Sequence, residues 1–284
     1  MVLSASGEKF LDNAAFSRLK KVMRDGTNIN FDCYRESYLK RRIKVRLAAT
    51  KANTYSDYSR YLQVNPDEFD LLVNDLTINY TKFFRDTDVY SFLEESIFPE
   101  LFSSKPWVRI WSAGCATGEE PYSLAILVNK VMKKGSNTGR VTIYASDLDK
   151  TALGKAKSGE YNDRMVEGVE ESVLDQYFDF DNEVYRVKSD VKQFIHFEEH
   201  DLMALPPHRN LDLILCRNVM IYFSREIQQK IHMNFYDSLK YGGYLITGKT
   251  EFLGGEPSRK FVDVNSKLRV YQKPSHEAFI KKHA

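Results

Sequence analysis

The sequence predicts an α/β protein: a mainly parallel sheet with helices on both faces, preceded by an all-helical segment and interrupted by a small β insert. Three observations predict it. Up to about residue 85 the apolar residues recur at helical spacing, and no strand-like run occurs. From Val108 onward short apolar runs alternate with helical intervals, the pattern of parallel strands buried on both faces. One interval, DFDNEVYRVKSD over residues 179–190, has the pattern of a hairpin rather than a crossover helix.

In chain order, helices are expected over 7–25, 32–51, 54–65 and 66–76, separated by turn signals at Gly26-Thr27-Asn28 and Asn65-Pro66. Polar residues then alternate through Thr77-Ile78-Asn79-Tyr80-Thr81-Lys82-Phe83-Phe84-Arg85-Asp86, which reads as a linker laid across the mouth of a site or as a plain extended connection. Strands are expected over 108–113, 141–146, 194–197, 211–216 and 244–247, with a last one in Leu268-Arg269-Val270-Tyr271. The organisation that follows is a helical segment 1–76, a linker 77–92 and an α/β domain 93–284 whose β insert spans about 178–197.

Composition narrows the class. At 43% hydrophobic and 28% charged residues the chain fits neither disorder nor a membrane protein. Its beginning, MVLSASGEKFLDNAAF, has no basic region leading into a long apolar run, so a cytoplasmic location without membrane insertion is expected. Cys33, Cys115 and Cys216 are too few and too far apart for a disulfide framework or a zinc site, so no metal is expected. A net charge of +2 gives nucleic-acid binding little support. Charge is nevertheless concentrated locally: Arg35, Lys40, Arg41, Arg42, Lys44 and Arg46 stand against the single acid Glu36.

The chemistry-bearing residues fall at the ends of the expected strands, where open α/β sheets bind ligands. After the first strand, Gly114-Cys115-Ala116-Thr117-Gly118 bends the chain into a helix opening at Glu119 and Glu120. Glycines permit the bend, and the helix start offers unpaired N–H groups. Two carboxylates there would repel a phosphate and suit a ligand with hydroxyls and a positive charge, as S-adenosylmethionine has; a tight turn without a ligand has the same spacing. After the second strand, Asp147 suits two ribose hydroxyls, a placement shared with NAD enzymes and with helix N-caps. After the third, Asp201 suits an adenine amino group or is a loop acid in water. After the fourth come Arg217 and Asn218, poor core residues unless paired, and then Tyr222, which also reads as an ordinary core aromatic.

Taken together, Thr77-x-Asn79-x-Thr81-x-Phe83-Phe84-Arg85-Asp86, the segment 112–122, Ala145-Ser146-Asp147 with Asp149, Cys216-Arg217-Asn218-Val219-Met220-Ile221-Tyr222-Phe223 and Gly242-Gly243-Tyr244-Leu245 resemble the CheR family of chemotaxis receptor methyltransferases, over about residues 10–273. The resemblance implies a Rossmann-like class I S-adenosylmethionine-dependent domain with a mainly parallel seven-stranded sheet. It also implies methyl transfer to glutamate side chains on the cytoplasmic helical domain of methyl-accepting chemoreceptors, with S-adenosylhomocysteine as product and recruitment to membrane receptor arrays. Carried over by position, Asn79, Thr81, Arg85, Gly114, Glu119, Glu120, Asp147, Asp201, Leu202, Arg217 and Asn218 become cofactor contacts, with one of Glu119 and Glu120 the main one. Arg85 and Tyr222 face the reacting methyl.

Two surfaces bear on the partner. Leu39, Ile43 and Leu47 share one helix face, leaving Lys40, Arg41 and Lys44 outward; this is solvated charge or, as the resemblance implies, the receptor-docking face. Family members that capture a receptor's C-terminal pentapeptide tend to carry a glycine-containing extension in the β insert. Asp179-Phe180-Asp181-Asn182-Glu183 has no glycine, so no pentapeptide binding is expected. Gly248-Lys249-Thr250-Glu251 stands where the family commonly has Gly-His-Ser-Glu, a departure expected to leave cofactor binding intact and to alter fine details of the substrate rim. A non-catalytic S-adenosylmethionine-binding signalling protein, or a methyltransferase for another substrate, is the alternative reading.

Overall fold

A computed structural model describes residues 5–77, 79–134 and 139–276; Ile78 of the linker motif lies outside them. The chain divides into two compact units, Met1–Ile78 with Tyr222–Ser224, and Asn79–Ile221 with Arg225–Ala284.

The first unit is helical, with α1 (Ala5–Thr27), α2 (Glu36–Thr50), α3 (Tyr55–Val64) and α4 (Glu68–Leu76). Leu19, Met23, Leu39, Ile43, Tyr58, Leu62 and Leu72 are buried, the inward stripes that helical spacing requires. Thr54 and Asp57 form a capping box that starts α3. Arg46 grips the buried Glu68 with two bonds, Nε to Oε1 at 2.9 Å and Nη2 to Oε2 at 2.8 Å, and the Tyr58 hydroxyl donates to the same carboxylate at 2.8 Å. One member of the basic run is therefore an internal strut. The helix expected over 32–51 starts later than its periodicity suggests. A 3-10 turn, Phe31–Cys33, is followed by extended Tyr34 and Arg35, because this segment pairs with Tyr222–Ser224. The Arg35 N–H donates to the Tyr222 carbonyl (2.9 Å), and the Ser224 N–H to the Cys33 carbonyl (3.0 Å).

The second unit opens with α5 (Thr87–Phe92), which runs through a π turn, Leu93–Ile97, into α6 (Phe98–Ser104). Then come β1 (Trp107–Ala113), α7 (Glu119–Lys134), β2 (Arg140–Asp147), α8 (Lys150–Ser158), β3 (Glu160–Tyr161), α9 (Glu171–Tyr177), β4 (Phe178–Asp181), β5 (Val184–Val187), α10 (Ser189–Lys192), β6 (Ile195–Glu199) and β7 (Leu211–Cys216). The chain continues through α11 (Arg225–Ser238), β8 (Leu239–Thr247), α12 (Glu256–Lys260), β9 (Val262–Asn265) and β10 (Val270–Gln272). Seven strands form the main sheet in the order β6-β2-β1-β7-β8-β10-β9, and only the pairings made by β10 are antiparallel. All six residues of β7 are buried, as a strand covered on both faces should be. Ile110, Ile143, Leu213 and Ile246 pack with Val89, Leu93, Leu124 and Leu127 of the helices.

Chain order reverses between β1 and β7, the switch point at whose carboxyl ends an open α/β sheet leaves a crevice. The insert is a three-stranded antiparallel sheet, β3-β5-β4, turned at Asn182 and Glu183, both with positive φ as a two-residue hairpin turn needs. Its strands run from Glu160 to Val187 and so start before and end short of the expected 178–197, because β3 joins the insert and Ile195–Glu199 pairs with β2 in the main sheet. The strands β3 and β9 went unread; two residues and a short V-D-V-N run carry too little pattern. The strand expected over 244–247 begins at Leu239, since its Gly242-Gly243 continues the strand instead of ending it.

Candidate functional site

At the end of β1 the backbone crosses to β2: the N–H groups of Gly114 and Cys115 both donate to the Ser146 carbonyl, at 2.8 and 2.9 Å. Gly114 and Gly118 have φ of +80° and +97°. The space beside them is filled by the protein itself. A Cβ on Gly114 would come within 2.6 Å of Val219, and one on Gly118 within 2.9 Å of Ala156 and 3.0 Å of the Tyr161 hydroxyl. Backbone conformation and internal packing thus already demand glycine at both positions.

The strand-end acids divide their work. Asp147 accepts from the Ala116 N–H (2.8 Å) with Oδ2 and from the Asp149 N–H (2.9 Å) with Oδ1, so it braces the glycine turn. The N-cap of α8 is Asp149, whose Oδ1 accepts from Thr151 and Ala152 while Oδ2 accepts from the Asn79 amide at 2.7 Å. A carboxylate has about four acceptor positions, so Asp147 retains capacity for ligand hydroxyls. Glu119 is 1% exposed and accepts from the Thr117 hydroxyl at 2.7 Å. Glu120 accepts from the Ser112 hydroxyl at 2.7 Å and lies 3.8 Å from Arg217 Nη1. Glu120 is therefore bonded to Ser112 and faces Arg217, whereas Glu119 accepts from the Thr117 hydroxyl and from its own N–H and faces no cation among the contacts the structure gives it. Asp201 and Leu202 are half-buried beyond β6, and Asp201 Oδ1 accepts from the Met203 N–H at 2.9 Å.

Beyond β7, Arg217 is buried and donates to Asp86. Asn218 has φ +61°, and its buried Oδ1 has no hydrogen-bond partner among the described residues. Its N–H donates to Glu251 Oε2 at 2.9 Å; the same carboxylate takes the N–H of Gly248 (2.7 Å) and of Ile221 (3.3 Å). Sequence reasoning passed over Glu251, Asp86 and Thr117 as site residues. The visible signal for Glu251 was an acid closing a strand-end turn. Arg85 is half-buried, donates to the Tyr80 carbonyl at 3.1 Å and sits 5.7 Å from the Tyr80 ring centre; Thr81 is half-buried in the same segment.

Burial pushes the carboxyls of Glu119, Asp147 and Glu251 above the ordinary carboxylate range. Glu120 is pushed up too, with Arg217, Ser112 and Arg85 pulling against burial. The site thus gathers carboxylates whose ionised forms are under-compensated, together with the unpaired acceptor of Asn218. This donor-poor set fits a ligand that brings hydroxyls, an ammonium and a sulfonium. It does not fit a pyrophosphate.

The remaining expected residues lie in the first unit. Tyr222 packs its ring on Tyr38, centres 4.7 Å apart, and its carbonyl accepts from Arg35. Arg41 and Lys44 are exposed. Lys40 is not freely outward: it is half-buried, 2.7 Å from Glu36, and lies over the Phe16 ring at 4.9 Å. Cys33, Cys115 and Cys216 are buried and form no disulfide. No described helix is long and apolar enough to cross a membrane.

Two family models match the chain: "CheR methyltransferase, SAM binding domain" over residues 79–269 and "CheR methyltransferase, all-alpha domain" over 14–77. A chemotaxis protein methyltransferase of Listeria innocua serovar 6a is 33% identical over 232 residues, 81% of this chain and 87% of that protein. Chemotaxis protein methyltransferase 2 of Vibrio cholerae serotype O1 is 29% identical over 275 residues, 94% of this chain and 95% of that one. The Borreliella burgdorferi chemotaxis protein methyltransferase is 28% identical over 256 residues, covering 87% and 90%.

Proposed function

The chain belongs to the CheR methyltransferase family, with S-adenosylmethionine as its cofactor, and from that premise we propose that it methylates glutamate side chains of chemoreceptors, forming γ-methyl esters. The observation that carries the reading is the cluster of buried carboxylates at the carboxyl ends of the strands around the β1/β7 switch point, which suits a cationic nucleoside, on a chain that the family models match over residues 14–77 and 79–269.

When bound, S-adenosylmethionine supplies a methyl already activated by its sulfonium. Glutamate, with an ordinary pKa of about 4.3, is ionised at neutral pH, so no protein base has to create the nucleophile. What the chain must do is hold and align. Asp147 takes the ribose hydroxyls while bracing the turn, and Glu119, which no arginine or lysine neutralises in the structure, takes the amino group in preference to Glu120, which faces Arg217. Asn218, Asp201 and Leu202 close the pocket, with Asn79 and Thr81 on its linker side. Arg85 orients the incoming carboxylate. A tight two-pronged ion pair would lower the nucleophilicity of that carboxylate, so a side chain partly occupied by the Tyr80 carbonyl suits the task. Alignment of reacting atoms and exclusion of water supply several kcal/mol without further groups. Tyr222 is assigned to the reacting methyl with Arg85 on the family motifs. Arg41 and Lys44, with Lys40 held at their edge, are assigned to docking on the acidic receptor helices, which places the enzyme at the cytoplasmic face of receptor arrays.

The test offers receptor-containing membranes and labelled S-adenosylmethionine to the purified protein. Base-labile label on the receptor, lost in Arg85→Ala, is expected. Label on nucleic acid or small molecules, or binding of the cofactor without turnover, overturns the reading.

A further inference from the structure

Arg217 sits at the junction of the cofactor turn and the segment that carries Arg85. Its side chain is 2% exposed. One guanidinium nitrogen donates to Asp86 Oδ2, another lies 3.8 Å from Glu120, and the group is 5.9 Å from the centre of the buried Tyr90 ring. Asp86 directly follows Arg85, and the backbone on both sides of Arg85 is left-handed, with φ +49° at Phe84 and +60° at Asp86. Neither residue is glycine, so neither conformation persists without restraint from its surroundings. Phe84 is restrained by Ser123, whose hydroxyl accepts its N–H at 2.9 Å. Asp86 is restrained by Arg217, with Lys249 3.8 Å away and itself held by Asp88 at 2.7 Å.

We propose that Arg217 is a positioning residue for methyl transfer: by holding Asp86 in the left-handed turn it sets the direction in which Arg85 leaves the backbone, and so the approach of the substrate carboxylate. The inference rests on the assignment of Arg85 to the substrate made above. Guanidinium suits the task, since its planar fork lets one nitrogen bond Asp86 while another faces Glu120 at 3.8 Å. Because Glu120 opens α7 and shares the same cation, the turn is tied to the helix that follows the glycine bend. One buried group thus registers the substrate-orienting arginine against the cofactor end of the sheet.

Asp86→Asn keeps the shape and removes the charge. Asp86→Gly removes the anchor but favours the observed φ. Both are compared with Arg217→Lys and Arg85→Ala in the full-length protein, reading kcat and KM on receptor membranes and S-adenosylhomocysteine affinity by calorimetry. Both Asp86 variants should lose at least tenfold in kcat with cofactor affinity within threefold of wild type, glycine faring no better than asparagine. Arg217→Lys, which keeps a cation but only a point donor, should fall between them and wild type, and serves if Asp86→Gly fails to fold. Wild-type kcat in Asp86→Gly would mean that only the backbone conformation matters; wild-type kcat in Asp86→Asn, or a loss of cofactor affinity matching the loss of kcat, would equally overturn the proposal. Arg85→Ala separates the two levels. If it is impaired while the Asp86 variants are not, this inference alone fails; if it turns over receptors normally, the assignment of Arg85 fails first.

Discussion

Deleting the Glu251 carboxylate should damage the protein far more than neutralising it, and the contrast follows from what the group touches. In Glu251→Ala the N–H groups of Asn218, Ile221 and Gly248 lose their acceptor together. A buried donor left unpaired costs about 1–3 kcal/mol. Gly248 is buried, while Asn218 is half-buried and Ile221 exposed, so water repairs part of the loss for the latter two. Removing a carboxylate that burial disfavours returns some of the remainder, which leaves a net cost of about 2–4 kcal/mol, a large share of a typical stability of about 5–15 kcal/mol. Glu251→Gln keeps an acceptor and sheds the buried charge, so it should stay within about 1 kcal/mol of wild type. The pH dependence has a definite sign. Burial raises the folded pKa of Glu251 above 4.5, so this group's contribution to stability is complete below 4.5 and is lost as pH rises through the raised folded value. The glutamine variant lacks that slope, and the difference between it and wild type should move in its favour from pH 5 to pH 8. Urea unfolding of the three proteins at both pH values checks this, and calorimetry should show at least tenfold weaker S-adenosylhomocysteine binding in Glu251→Ala as the Asn218 backbone loosens. Equal stability of the alanine and glutamine variants, or a gap moving the other way with pH, would refute the reasoning.

Asp147→Ala should weaken S-adenosylhomocysteine binding by about 30–100-fold, roughly 2–3 kcal/mol, as measured by calorimetry, because both the ligand hydroxyls and the Ala116 N–H lose an acceptor. Glu119→Gln should stabilise the cofactor-free protein more at pH 8 than at pH 5 in thermal melts, since its raised folded pKa makes wild-type stability fall as pH rises through it, while weakening cofactor binding. Replacing Lys40, Arg41 and Lys44 with alanine should lower receptor methylation and flatten its salt dependence without changing cofactor affinity, with Arg41 and Lys44 carrying most of the effect because Lys40 is paired with Glu36. A free receptor C-terminal pentapeptide should give no calorimetric signal, since the insert turns through two residues with no extension; micromolar binding would point to backbone capture along a strand edge instead.

The parallel sheet was legible because its central strands are apolar on both faces and its helices are long enough to show their period. What escaped was short or set by distant partners. The two residues of β3 have no period to read, and the two extended residues before α2 follow from pairing with Tyr222–Ser224, nearly two hundred positions away. The strand expected over 244–247 misses Gly242 and Gly243, which the structure needs for different reasons: Gly242 has φ +77°, and a Cβ on Gly243 would come within 3.0–3.1 Å of the carbonyls of Lys240 and Leu211. Local signals of this kind lose to tertiary ones whenever a backbone must pass close to another.

The site divides along the same line. Which acids cluster was readable, because strand ends are fixed by topology and Glu119, Glu120, Asp147 and Asp201 all fall at or shortly after the ends of β1, β2 and β6. Their individual tasks were not. Asp147 and Asp149 are equally good N-caps by sequence, and only the hydrogen bonds assign the cap to Asp149 and leave Asp147 on the glycine turn. Arg217 posed the harder case. A buried polar residue at a strand end has two explanations, a ligand or a partner elsewhere in the chain, and its partner Asp86 lies 131 residues upstream. The same economy of charge decides both: a free guanidinium 3.8 Å from Glu120 would oppose a cationic cofactor at the site proposed for it, and pairing it with Asp86 offsets that charge.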